Sequence, residues 1–341
     1  MNLNRPRRSV EFFISAVIII IAGIRLTVYA DKLSDELQFG KVWVGIIFLG
    51  VATSLPEAIT SLTAIISLQA NDLAIGNLLG SNNFNPMLIV VMDALYRRGS
   101  ITNALTPNAS YQVSARFAIL LTLLVIFDIM FNGAFPTFHL GPVSVGGLLI
   151  AIFYFIGIKR LAKLGAGPVA AATTANPETK EKVPVNRLWA EMAASALFVV
   201  AGAIWLAGSA DTIAAETGLG RTFVGSIFLA IVTSLPEMVV SISALRLGAL
   251  DLAIGNIFGS NMANMFIVSF CGLFHRRGPI LATVKPTHMF TGALSLLLMH
   301  ILIKGISTRN KKTFLGFGWD SIVMVLVFTL GTIYLYHVRA M

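Results

Sequence analysis

The sequence predicts an all-α membrane protein: ten transmembrane helices arranged as two inverted five-helix repeats. Three observations predict it. Hydrophobic residues make up 56% of the chain and charged residues only 12%. Ten apolar runs are each long enough to cross a bilayer. The first half of the chain also reappears in the second half at a nearly constant offset.

A soluble protein of 341 residues has too much surface to cover with so few charges, and the mean hydropathy of +0.81 points to lipid as a second solvent. A spanning helix needs roughly 20 mostly apolar residues. Such stretches lie at approximately 11–30, 42–68, 72–95, 115–132, 140–158, 188–210, 222–247, 251–274, 283–304 and 316–337. The first follows a basic segment with Arg5, Arg7 and Arg8, as in a secretion signal. It lacks a small-residue cleavage site and is long enough to span, so it counts as the first helix.

The net charge of +9 does not point to nucleic acid, because the basic residues sit in the short connections between apolar stretches, where the positive-inside rule accounts for them. The single cysteine, Cys271, excludes an internal disulfide and any cysteine-cluster metal site, and its apolar run makes it a small buried residue.

The repeat is ordered and dense. Ala30-Asp31 returns as Ala210-Asp211, Gly40 as Gly220, and Val44-Gly45 as Val224-Gly225. Thr53-Ser54-Leu55-Pro56-Glu57 returns as Thr233-Ser234-Leu235-Pro236-Glu237. One deletion later, Asp72 through Asn77 returns as Asp251 through Asn256, Gly80-Ser81-Asn82 as Gly259-Ser260-Asn261, Asn85 as Asn264, and Arg97-Arg98-Gly99 as Arg276-Arg277-Gly278. Between the halves, 163–187 is rich in Ala, Thr, Pro, Glu and Lys and reads as a flexible linker. The organisation is therefore 1–162 for the first five helices, 163–187 for a cytoplasmic linker, and 188–341 for the second five. An odd number of spans per repeat inverts the second copy, an arrangement that places transport sites at the repeat interface. Lys and Arg in the linker and in the last connection put both termini on the non-cytoplasmic side, against the pull of the N-terminal arginines.

Glu57 and Glu237 lie inside apolar helices. An ionised group at membrane depth is costly and marks function when it recurs in both halves in the same setting. Pro56 and Pro236 lack an N–H, which releases the carbonyls of Ala52 and Val232 as hard oxygen donors. Thr53 and Ser54 stand four and three residues before Glu57, so their hydroxyls can converge on its carboxylate or bond back to their own helix. On the next helix Asn77, Ser81 and Asn85 share one face, as do Asn256, Ser260 and Asn264. Interhelical bonding is the expected role of Asn77 and Asn256, and ligation that of Asn85 and Asn264. Gly76-x-x-x-Gly80 and Gly255-x-x-x-Gly259 let this helix press on the helix carrying Glu. Asp72 and Asp251 read as helix N-caps, and Asp31 and Asp211 as residues at helix ends in water. Asp93, Asp128 and Asp320 have no repeat partner and receive no role. An all-oxygen site with two carboxylates favours Ca²⁺, Na⁺ or Mg²⁺ over Zn²⁺ or Cu²⁺. A fixed charge of −2 is balanced by one Ca²⁺ or a few Na⁺, and is costly to carry empty through the membrane.

Two copies of T-S-L-P-E, each followed by D-x-A-I-G-N-x-x-G-S-N, resemble the α-repeats of the calcium:cation antiporter superfamily, in its sodium/calcium exchanger branch with prokaryotic members. The resemblance covers about 40–98 and 220–277. It implies inverted five-helix repeats, a four-helix core made of the second, third, seventh and eighth helices, and sliding of the long first and sixth helices against that core. It maps ion ligands onto Thr53, Ser54, Glu57, Ser81 and Asn85, and onto Thr233, Ser234, Glu237, Ser260 and Asn264. The chain departs from the family in several places. Ala52 and Val232 replace the usual Gly before Thr-Ser, which implies a tighter helix break. Asn264 stands where some prokaryotic exchangers carry Asp. Pro86 follows Asn85 whereas Met265 follows Asn264, which should bend the third helix. G-S-N departs from the acidic motif of proton/calcium exchangers. The resulting expectation is a Ca²⁺/Na⁺ antiporter of the cell (inner) membrane, with Ca²⁺/H⁺ exchange or a passive cation channel as alternatives. It would have ions and lipid as partners, no nucleic acid, no resident cofactor and no enzymatic activity. Gly-x-Ser-x-Gly and His-Glu-x-x-His are both absent from the sequence.

Overall fold

The computed structural model describes residues 5–96, 99–105, 108–134, 139–140, 143–165, 184–216, 232–309, 313–314 and 316–339. These residues are helical apart from connections and two short hairpins. In chain order they form α1 (Arg5–Leu37), α2 (Lys41–Val44), a π-helical turn (Gly45–Leu49), α3 (Gly50–Ile66), α4 (Asn71–Leu95), α5 (Ile101–Ala104) and α6 (Ala109–Ala134). Then come β1 (His139–Leu140), β2 (Val143–Ser144), α7 (Val145–Gly165), α8 (Val185–Glu216), α9 (Leu235–Arg246) and α10 (Leu250–Gly272). A 3₁₀ turn (Ile280–Ala282), α11 (Thr287–Thr308), β3 (Thr313–Phe314), β4 (Phe317–Gly318) and α12 (Trp319–Arg339) complete it. The strands form antiparallel pairs, with His139 opposite Ser144 and Thr313 opposite Gly318. Each pair joins two outer helices.

Among the described residues, eight helices are long and apolar enough to cross a membrane, and they coincide with eight of the ten predicted stretches. The predicted third stretch is α4, which has the length to span at 25 residues. Its Asn77, Asn82, Asn83, Asn85 and Asp93 dilute its apolar content, and all five are buried. Of the predicted seventh stretch only the part from Val232 onward is described, so Gly220 and Val224-Gly225 fall outside the described residues, as does most of the predicted linker. The flanks of that linker are helical: α7 runs on to Gly165 and α8 starts at Val185.

The helix ends differ from expectation in two places. The first helix continues past Asp31 to Leu37 and α8 continues past Asp211 to Glu216, so both residues lie within helices, and Asp31 pairs with Lys41 at 2.5 Å. Asp72 and Asp251 are not N-caps, because Ala70 and Ala249 occupy those positions without a side-chain cap. Both carboxylates reach across to the other half. Asp72 accepts hydrogen bonds from the Lys285 N–H at 2.8 Å and from His288 Nε2 at 3.0 Å. Asp251 accepts one from the Tyr111 hydroxyl. His288 and Tyr111 open the helices α11 and α6, so the two contacts repeat each other in position.

α10 is the central rod. Leu252 through Met265 is buried on every side, which is why its sequence shows no polar face toward solvent. Glycine lets the π turn and α3 approach it at backbone distance. A Cβ at Gly255 would lie 2.5 Å from the Val42 carbonyl oxygen, one at Gly259 2.4 Å from that of Ile46, and one at Gly50 2.6 Å from the Gly259 carbonyl carbon. The second-half glycine pair thus presses on the helix that carries Glu57, the carboxylate of the opposite half. α1 and α8 lie side by side, and α1 crosses α9, where a Cβ on Gly23 would meet Val239 at 2.8 Å. Phe13, Val17 and Ile21 on α1 and Leu326, Leu330 and Ile333 on α12 remain exposed, as lipid-facing side chains must.

The two glutamate helices are built differently. Pro56 sits inside a continuous α3, and the irregular backbone precedes it as the π turn. In the second half the helix breaks at Ser234 (φ −85, ψ 7), and Pro236 stands in the first turn of α9. The turns that follow also differ: residues 67–70 link α3 to α4, and residues 247–249 link α9 to α10. The single deletion in the repeat lies there.

Candidate cation-binding site

Glu57 and Glu237 are fully buried where α3 and α9 meet α4 and α10 (0% and 1% exposed) and are close enough to repel one another. Buried charge needs compensation, and the groups around it come from both halves. Thr53 and Ser54 do not converge on Glu57 of their own helix. They stand, with Ser260, around Glu237. Thr233 of the second half faces Glu57, and Ser81 Oγ donates to Glu57 Oε1 at 3.4 Å. The helix geometry explains this: Thr53 Oγ1 donates back to Leu49 O at 3.0 Å, and that rotamer turns the hydroxyl toward α10. There it lies 3.1 Å from Asn256 Oδ1 and 3.1 Å from Ser260 Oγ. Ser234 Oγ donates to Ser81 Oγ at 3.3 Å.

Asn77 and Asn256 bridge helices. Asn77 Nδ2 donates to Ser61 Oγ at 3.3 Å, and its Oδ1 accepts from Thr233 at 3.4 Å. Asn256 Nδ2 donates to Ser241 Oγ at 3.1 Å and to the Glu237 carbonyl at 3.3 Å. Ser61 and Ser241 are a repeat pair that sequence reasoning did not single out. A recurring Ser one turn beyond each Glu was the signal available.

Asn85 and Asn264 behave differently. Their Nδ2 groups donate to the opposite half, to Asn261 Oδ1 at 2.8 Å and to Asn82 Oδ1 at 3.0 Å. Their Oδ1 atoms are buried without a protein partner. The same holds for Ser54 Oγ, Glu57 Oε2 and both oxygens of Glu237. Buried polar atoms are ordinarily hydrogen-bonded. Unmatched carboxylate oxygens ringed by the hydroxyls of Thr53, Ser54, Ser81, Thr233 and Ser260 have the chemistry of a hard-cation site: oxygen only, no thiolate and no imidazole. Among the described residues no group of three His, Cys, Asp or Glu gathers to hold a metal ion. Cation binding here therefore has to draw on hydroxyl and amide oxygens as well as carboxylates. Cys271 is buried, reduced and remote in character from this cluster.

Asp93, unassigned from sequence, is the hub of a junction at the end of α4. Its carboxylate accepts from Ile101 N at 2.6 Å, Gly318 N at 3.1 Å and Ser321 Oγ at 2.6 Å. Asp128 accepts from Ser144. Both tie hairpins and outer helices to the core.

A sequence model of the sodium/calcium exchanger protein family matches residues 9–158 and, a second time, residues 188–337. The sodium/calcium exchanger MaX1 of Methanosarcina acetivorans is 25% identical, over 91% of this chain and 93% of the relative. The inner membrane protein YrbG of Escherichia coli (strain K12) is 29% identical, over 74% of this chain and 78% of the relative. The solved structure of the sodium-calcium exchanger NCX_Mj superimposes with a TM-score of 0.69 at 18% identity, over 95% of this chain and 96% of that one. At that identity the structural likeness speaks for the fold. The two family matches span most of the chain, and they coincide with an apolar multi-helix fold. The chain is an integral, multi-pass membrane protein that belongs to the sodium/calcium exchanger protein family of cation antiporters.

Proposed function

We propose that the chain exchanges Ca²⁺ for Na⁺ by alternating access. One observation carries the reading: of the four oxygens on the fully buried carboxylates Glu57 and Glu237, three have no hydrogen-bond partner, and neither do Ser54 Oγ, Asn85 Oδ1 and Asn264 Oδ1. The ligands are Thr53, Ser54, Glu57, Ser81 and Asn85 from one half, and Thr233, Ser234, Glu237, Ser260 and Asn264 from the other. Two fixed negative charges are neutralised by one Ca²⁺ or by several Na⁺. The doubly charged empty cavity is too costly to carry across the membrane, so transport in one direction is tied to transport in the other. The names borne by MaX1 and NCX_Mj support Na⁺ as the counter-ion.

The architecture proposed with it has ten spans in two inverted repeats, 1–162 and 188–341, joined by a cytoplasmic linker at 163–187, with both termini outside the cytoplasm. No resident cofactor takes part, because the ions in the site are substrate.

The test is counter-ion dependence in proteoliposomes. An outward Na⁺ gradient should drive ⁴⁵Ca²⁺ uptake, and dissipating that gradient should stop it. Uptake driven instead by a pH gradient without Na⁺ would identify Ca²⁺/H⁺ exchange. Flux that ignores every counter-ion would identify a channel.

A further inference from the structure

We infer that Asn82 and Asn261, the last residues of the two Gly-Ser-Asn triplets, are positioning residues. They fix the amides of Asn85 and Asn264 with their oxygens turned into the cation site, each acting on the amide of the opposite half. The inference rests on the proposed site and adds to it two residues that do not touch the ion.

A side-chain amide looks nearly the same in either flip, so something must decide which end faces the carboxylates. Backbone carbonyls decide it here, because a carbonyl oxygen only accepts. Asn82 Nδ2 donates to the Asn261 carbonyl at 3.2 Å, which leaves Asn82 Oδ1 on its other side. Oδ1 needs a donor, so Asn264 must present Nδ2, at 3.0 Å, and must turn its own Oδ1 away. The reciprocal chain runs the same way. Asn261 Nδ2 donates to the Asn82 carbonyl at 3.4 Å, Asn261 Oδ1 accepts from Asn85 Nδ2 at 2.8 Å, and Asn85 Oδ1 is left on the opposite side of its amide, without a protein partner. All four side chains are buried (0% exposed), and neither Asn85 Oδ1 nor Asn264 Oδ1 has a protein partner. Flipping any one amide would set two oxygens or two N–H groups against each other in a buried setting and leave both without partners.

Pro86 frees one of the two carbonyls. In an unbroken helix the Asn82 carbonyl would accept from the residue-86 N–H, and proline has none. That carbonyl is therefore free for Asn261, and Ser295 of α11 also donates to it at 3.4 Å. In α10 Met265 stands in place of Pro86 and retains its N–H. Asn261 gains a different support, with its Nδ2 3.1 Å from Met299 Sδ. The Asn261 carbonyl still accepts from Asn82 at 3.2 Å, so the pairing does not depend on the proline.

Double-mutant cycles test the wiring. In ⁴⁵Ca²⁺ equilibrium binding to the purified chain, Asn82→Ala should weaken Ca²⁺ about tenfold. Adding Asn264→Ala to it should weaken binding by less than twofold more, because the released amide is already misaligned. Asn82→Ala and Asn85→Ala should multiply, since Asn85 answers to Asn261. The pair Asn261→Ala and Asn85→Ala should again fail to multiply. If Asn82 merely glues helices, its effect will multiply with that of Asn264→Ala, and the inference falls. Coupling of 82 with 85 instead of 264 overturns it equally. Should the alanine variants not be monodisperse, Asn82→Ser and Asn261→Ser carry the same cycles, because the shorter hydroxyl cannot span both partners. The cycles are also read on the thermal midpoint without Ca²⁺. A parent protein that binds no Ca²⁺ sinks the antiport reading, while additive midpoints for 82 with 264 sink the amide wiring.

Discussion

Thr53 of α3 and Ser260 of α10 bring their hydroxyl oxygens within 3.1 Å of each other across 207 residues of sequence. Both stand around Glu237, so part of the shell of one half's carboxylate is contributed by the other half.

Loss of either carboxylate should therefore disable the whole site. Glu57→Gln or Glu237→Gln preserves shape and removes one of two charges. At about 4 Å and an effective dielectric near 20, a unit pair contributes on the order of 4 kcal/mol. Na⁺-driven ⁴⁵Ca²⁺ uptake should fall more than a hundredfold in each variant, with the thermal midpoint unchanged or higher because a buried charge is gone. Retention of uptake in either variant would place the ion elsewhere.

Gly259→Ala should damage assembly, not ion affinity. Its new methyl would sit 2.4 Å from the Ile46 carbonyl oxygen, and backbone on both sides leaves nothing soft to move. The expected cost is about 1–3 kcal/mol, read as a lower thermal midpoint and a larger aggregated fraction in size-exclusion chromatography.

The two interhelical turns make opposite predictions. Gln69 holds φ 51 after α3, and its repeat mate Gly248 holds φ 73 after α9. Left-handed backbone costs a residue with a Cβ about 1–2 kcal/mol. Gln69→Gly should raise the midpoint and Gly248→Gln should lower it, in the same detergent and buffer. Equal signs would refute the comparison.

Tyr111→Phe isolates one inter-half contact. Tyr111 is 1% exposed, and its hydroxyl donates to the Asp251 carboxylate. Hydrogen bonds to charged groups contribute about 1.5–3 kcal/mol. The variant should lose that much stability, and a following Asp251→Asn should cost little more. Additive losses would mean the two side chains act separately.

How much of this was legible in the sequence follows from what repeats and what does not. Glu57 and Glu237 stood out because a carboxylate in an apolar run is costly and theirs recurs. The Asn-Ser-Asn stripes stood out because spacing by four defines a helix face. Spacing says nothing about which neighbour that face meets: it leaves Thr53 open between Glu57 and a bond back to its own helix, and the back-bond to Leu49 O is what turns the hydroxyl to the other half. Asn82 lies about 100° around the helix from Ser81, off the stripe, and its use depends on Asn261, 179 residues away. Asp93 had no repeat mate to flag it, and two of its three donors come from beyond residue 317. The third helix fell short of a membrane-like hydropathy for the same reason that it matters: its polar residues point inward.

The crossed pairing of asparagines has a consequence for how such a chain can vary over time. A change at Asn82 is felt first at Asn264, and a change at Asn261 first at Asn85. Substitutions accepted in natural sequences should then co-occur at 82 with 264 and at 261 with 85, and not between the near neighbours 82 and 85. Two segments born as copies would be bound to diverge in concert, each change on one side permitted only by its counterpart on the other.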